Sequence, residues 1–184
     1  AFSIEGLSKS SAMFDIKKLN WMNGEYIRKM SLDDFHKAAL PYYKQVFGDR
    51  PIDLYKISGL LHDRTEVFSE IPGNIDFLRE LPDYDVNMYV HKKMKTNLEN
   101  SLESLKDAYQ SLNAVEDWTE DSIGSVLKEL VSRKGVKNGQ VLWPVRTALS
   151  GKQFTPGGAI EIAAVLGKDE SLRRIGIGIE KLSK

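Results

Sequence analysis

The feature that most constrains this chain is the spacing of its apolar residues, which recur by threes and fours rather than in alternation. A stripe of that period lies along one side of a helix, whereas a half-buried strand needs period two. The longest example runs Val86, Val90, Met94, Leu98, Leu102, Leu105, Tyr109 and Leu112 and predicts a single long helix starting near Val86. Shorter stripes predict a helix behind Asp15 and another behind a Ser31/Asp34 capping box, with Pro41 demanding a kink or break. Two more follow, at 54–61 and behind Thr119, where Glu120 and Asp121 suit a first turn. In the last third, Gly139 precedes a helix stopped by Gly151. Thr155-Pro156 reads as a cap with proline at the first helical position, opening a helix that Gly167 ends. Asp169-Glu170 starts a terminal helix, and Gly176-Ile177-Gly178 reads as its frayed tail. The predicted fold class is all-α, as two packed helical lobes. Turn-rich Ile71-Pro72-Gly73-Asn74 and Leu81-Pro82-Asp83 divide them into 1–87 and 88–184.

With 184 residues the chain holds one large domain or two small ones, and it has no cysteine. That excludes disulfides and thiolate metal sites. No apolar run approaches the roughly 18 residues that cross a bilayer. With no secretory leader read either, the expected location is the cytoplasm. A start at Ala1 rather than methionine predicts processing or excision from a longer chain. The 26 basic and 26 acidic residues balance, which argues against coating nucleic acid by bulk attraction. Their distribution is uneven. Residues 99–121 are acidic, while Lys128, Arg133, Lys134, Lys137, Arg146 and Lys152 follow with Glu129 as their one acid. That basic stretch predicts either a face for a polyanion or ordinary solvated helix surfaces.

Catalytic constellations are not read anywhere. His36, His62 and His91 never fall in a helical zinc pattern and read as surface or helix-flank residues. There is no Walker loop, no dinucleotide glycine fingerprint and no nucleophile elbow. Thr155-Pro156-Gly157-Gly158 can cradle a phosphate at a helix start but equally marks helix entry. Short lysine-serine runs at residues 7–11, 29–31 and 181–184 echo the loop with which class I synthetases hold ATP. None follows a parallel-sheet nucleotide fold, so none reads as catalytic.

Several ordered motifs resemble the segment after the catalytic core of bacterial glutamyl-tRNA synthetases. They begin with residues 2–10, then Ala12-Met13-Phe14-Asp15 and Lys18-Leu19-Asn20-Trp21-Met22-Asn23-Gly24 through Arg28. Glu116-Asp117-Trp118-Thr119, residues 135–140 and Leu142-Trp143-Pro144-Val145-Arg146-Thr147 continue the series. Thr155-Pro156-Gly157-Gly158-Ala159-Ile160 and Leu172-Arg173-Arg174-Ile175 complete it. Together they cover nearly the whole chain. The resemblance implies an all-helical anticodon-binding region, with the end of a stem-contact segment at 1–11. It also implies a parent enzyme that joins glutamate to tRNA-Glu with ATP and magnesium, in a catalytic domain preceding Ala1. The chain itself would then have no catalytic residue, hold no cofactor, and bind the anticodon loop as a cytoplasmic monomer away from membranes.

By the same resemblance, Arg64 on the first lobe meets one anticodon base, and Arg146 faces a Thr155-Pro156-Gly157 turn on the second. Gly158 replaces the bulkier apolar residue of some relatives. Trp21 and Trp143 sit in apolar periodic helices and read as core. A free-standing all-α adaptor for protein or RNA is the alternative reading.

Overall fold

The computed structural model describes residues 15–184; the motifs at 2–10 and 12–14 and the stem-contact segment expected at 1–11 lie outside them. Among the described residues there are nine α-helices and no strand; one isolated bridge pairs His91 with Thr96. None of these helices is long and apolar enough to cross a membrane.

Local chemistry accounts for the first helices. Asp15 caps α1 (Ile16–Arg28) by accepting from the Lys18 amide. Ser31 caps α2 (Leu32–Phe47), accepting from the Asp34 amide and donating to the Asp34 carboxylate. Pro41 does not break α2. Pro41 and Lys37, whose carbonyl loses its helical donor, are both exposed, so water can serve that carbonyl. Asp53 caps α3 (Leu54–Leu61), which tightens into a 3₁₀ turn at His62–Arg64. The expected turn at residues 71–74 is instead the first turn of α4 (Ile71–Arg79), where proline lacks only a donor that has no helical partner.

The long helix predicted from Val86 is not formed. Residues Val86–Tyr89 make a 3₁₀ turn, and α5 starts only at Leu98 and ends at Asn113. Between them the Thr96 hydroxyl accepts from the His91 amide and donates to the Tyr89 carbonyl, and Lys95 turns through positive φ (58°). Asn97 and Asn100 then cap each other's backbone amides to start α5. The buried face of α5 is built largely of small residues, Ser101, Ser104 and Ala108, with Leu105 and Leu112; Leu98 and Tyr109 are exposed.

Thr119 caps α6 (Glu120–Lys134), and left-handed Gly135 ends it. Left-handed Gly151 likewise ends α7 (Asn138–Ser150), whose first turn includes Gly139. The cap of α8 (Ala159–Leu166) is Gly158, not Thr155; three residues of irregular chain separate Thr155 from the helix. Gly167 ends α8 and opens α9 (Lys168–Leu182). The expected frayed tail is helical and packed. A Cβ on Gly178 would come within 2.5 Å of the Tyr89 hydroxyl and 3.1 Å of both Ala148 and Leu105.

Two groups of helices emerge. In the first, α2 lies against α3 and α4 around Phe35, Tyr43, Ile57 and Ile75. In the second, α5 packs on α7 and α9, and α8 bridges α6 and α7 around Leu105, Ile123, Val145 and Ile175. Residues 83–89 lean on the second group: Lys181 bonds Asp83 at 2.6 Å, and the Trp143 indole donates to the Met88 carbonyl at 2.9 Å.

The groups are joined by Arg174 of α9, which is fully buried. Its Nη1 donates to the Phe77 carbonyl of α4 (2.8 Å) and to the Leu149 carbonyl near the end of α7 (2.7 Å), while Nε meets Glu170 at 2.6 Å. Burial pulls the Arg174 guanidinium below its ordinary pKa, and Glu170 opposes that. Lys152 adds a second tie, to the Asp76 carboxylate and the Gly73 carbonyl. Two cations of the predicted basic stretch are paired within the fold, Lys134 with Glu103 and Asp107 and Lys152 with Asp76.

Candidate nucleic-acid interface

Arg146 sits on the last turns of α7, where Gly151 turns the chain back so that the following loop passes its side chain. Nη1 donates to the Thr155 hydroxyl and Nη2 to the Gln153 carbonyl, each at 2.9 Å. The Thr155 hydroxyl in turn donates to the Gly157 carbonyl at 2.7 Å, so turn and arginine brace each other. Beneath them the guanidinium carbon lies 4.3 Å from the centre of the Trp143 ring. Partial burial lowers the Arg146 pKa, yet a guanidinium starting so high stays charged at neutral pH.

Trp143 is therefore not the core residue expected from its helix: it is half-buried, tied by its indole N–H to Met88, and also met by the His91 ring at 4.1 Å. Trp21 departs further, at 56% exposure, because only Gly24 and Ile27 of α1 are buried. Phe154, between the two residues that grip Arg146, is 82% exposed. An open aromatic beside a fixed cation is the pairing that single-stranded bases stack on.

Arg64 lies in the turn after α3, half-exposed. Its Nη1 donates to the Leu60 carbonyl at 2.9 Å, and Nη2 stands 3.8 Å from Glu161 Oε1. This contact crosses the seam between the two helix groups. Glu161 Oε2 accepts from the Gly158 amide at 3.1 Å, holding the start of α8. Gly157 fits where it does because it lacks a side chain: a Cβ there would stand 2.4 Å from Leu60 Cδ1.

A chain of contacts links the expected residues: Arg146 bonds Thr155, Thr155 reaches across Pro156 to the Gly157 carbonyl, Gly157 abuts Leu60, and the Leu60 carbonyl holds Arg64. Two grooves open beside them. One, of about 430 Å³, is lined by Met94, Leu142, Trp143, Arg146, Ile160 and Glu161. The other, of about 540 Å³, lies between the helix groups and is lined by Tyr55, Leu60, Arg64, Trp118, Glu161 and Val165 among others. Both volumes fall in the range of small-molecule sites, and Glu161 borders both. Sequence reading missed Glu161, His91, Phe154 and the surface role of Trp143. Glu161 had a signal: it stands three residues after Gly158, the spacing of a capping box, once Gly158 rather than Thr155 is taken as the cap.

Comparison with known proteins shows the family. A family model described as "Anticodon binding domain" matches residues 34–179. The glutamate–tRNA ligase of Clostridium acetobutylicum is 60% identical over 183 residues, and that of Clostridium tetani 59% over 181. The chain spans only 38% and 37% of their lengths, while they cover 100% and 98% of it. In fold, the chain is similar to the crystal structure of a glutamate tRNA ligase from Elizabethkingia meningosepticum in complex with its amino acid. That match has a TM-score of 0.75 at 24% identity, over 98% of this chain and 35% of the other.

Proposed function

The chain belongs to the anticodon binding domain family, and from that premise we propose that it reads the anticodon loop of tRNA-Glu as the C-terminal part of a glutamate–tRNA ligase. The observation that carries this reading is Arg146, braced by Thr155 and Gln153 over Trp143, with an open groove beside it. Loop bases are unstacked, so their edges can be hydrogen-bonded and their faces stacked. Arg146, with Thr155, Pro156 and Gly157, serves one base or its phosphate, and Arg64 serves another. Activation of glutamate with ATP and magnesium belongs to the remainder of the ligase, and this chain contributes binding alone, as a cytoplasmic monomer. We place the two binding units at 1–87 and 88–184; Asp83 and Met88, on either side of that boundary, both bond residues of the second helix group.

Glutamate and glutamine anticodons differ at the third base, cytosine against guanine. Stem-loops differing only there, titrated at fixed salt, test the reading. The cytosine loop should bind more tightly, and Arg64→Gln should narrow the gap by about 1–3 kcal/mol. Uniform weakening of both loops would place Arg64 on phosphate instead. Affinity should also fall steeply with added salt, as counterion release requires. An all-α adaptor binding protein would show little of that dependence.

A further inference from the structure

Arg64 does not face its groove alone. Glu161 Oε1 stands 3.8 Å from Arg64 Nη2, too far for a hydrogen bond, and accepts none among the described residues. The carboxylate is nonetheless fixed, because its other oxygen holds the Gly158 amide. Arg64 is fixed in the same way by the Leu60 carbonyl. Each partner thus spends one end on the backbone and turns the other toward the groove between the helix groups.

We infer that Glu161 is a specificity-determining residue that accepts a hydrogen bond from the exocyclic amine of the cytosine at the third anticodon position, beside Arg64. This rests on the anticodon-loop reading above. The Watson–Crick edge of cytosine presents two adjacent acceptors, O2 and N3, followed by one donor, the 4-amino group. A guanidinium with donors to spare beside one outward carboxylate oxygen matches that order. Guanine presents one acceptor and two donors, leaving a donor without a partner. Uracil places its donor between two acceptors, where the arginine has only donors. An unmatched buried polar group is what makes such sites selective.

The Gly158 amide makes the test sharp. In Glu161→Gln the amide oxygen must stay on Gly158, which turns the NH₂ group toward the groove and replaces an acceptor with a donor. Helix capping is retained, so the melting temperature should barely move. The probes are two stem-loops, one with cytidine at the third anticodon position and one with the pyrimidin-2-one nucleoside, which lacks only the 4-amino group.

Wild type should bind the cytidine loop about tenfold more tightly than the other. Glu161→Gln should bind the two equally or favour the loop without the amine. A wild type indifferent to the amine overturns the inference without any variant, as does a tenfold preference that survives in Glu161→Gln. Should neither loop bind wild type at all while the protein is folded, the anticodon reading itself fails. Binding of both loops with no amine effect leaves that reading intact and removes only Glu161.

Discussion

Arg174 and Arg146 are both arginines of the second helix group, and both donate to main-chain carbonyls. Arg174 is fully buried and tied to two other helices and to Glu170, so its donors hold the fold together. Arg146 is braced from one side by Gln153 and Thr155, with an apolar groove against it. The same side chain is a clamp where water is excluded and, in the function proposed above, a binding group where one edge stays open. Burial and the number of fixed partners separate the two roles; residue type does not.

The largest effect expected from this contrast is on stability. Arg174→Ala strands carbonyls of α4 and α7 together with a partly buried carboxylate, and should lose about 3–5 kcal/mol in denaturant unfolding. Arg146→Ala should lose about 1 kcal/mol, for a half-exposed cation on an aromatic ring. Equal losses would break the comparison. A second measurement sharpens it on α9 itself. Gly178→Ala drives a methyl into Tyr89, Ala148 and Leu105 and should cost about 1–3 kcal/mol. Gly176→Ala meets nothing within 4 Å and should stabilise by up to about 1 kcal/mol.

Binding should show the reverse ranking. Arg146→Ala should weaken a glutamate anticodon stem-loop by about 1–3 kcal/mol while the protein stays folded. An unchanged affinity with a sharply lower Tm would make Arg146 a structural residue.

The smallest effect lies on the acid side. Hydrogen bonds from Arg173 above all, and from Arg174, hold the Glu170 carboxyl below its ordinary value of 4.5, against the opposing pull of partial burial. A carboxyl with a lowered folded pKa contributes stability that is present above its ordinary pKa and lost as pH falls through the lowered one. Unfolding free energy should therefore decline on acidification below about pH 4.5, and Glu170→Gln should flatten that decline.

The sequence discloses helices where a cap and a stripe coincide, as at Asp15, Ser31 and Thr119. It misleads where a stripe continues without a cap. Val86, Val90 and Met94 keep the period, but Thr96 and Asn97 offer the backbone better partners and end the pattern. Gly178 was misjudged because nearness to the terminus suggests fraying, whereas its lack of a side chain is what admits Tyr89. At the candidate interface the motif residues were legible as motifs. The contact between Arg64 and Glu161 was not, because 97 residues separate its partners and only the tertiary seam brings them together.

That seam has a consequence for sequence drift. Arg174 addresses the carbonyls of Phe77 and Leu149, which every amino acid carries, rather than their side chains. Residues 77 and 149 can therefore change among apolar types without removing an acceptor, and no compensating change at 174 is called for. Position 174 has no such latitude, since lysine lacks the planar fork that reaches two carbonyls and a carboxylate at once. The join is one-sided in what it demands: substitutions should accumulate at positions 77 and 149 and be refused at 174.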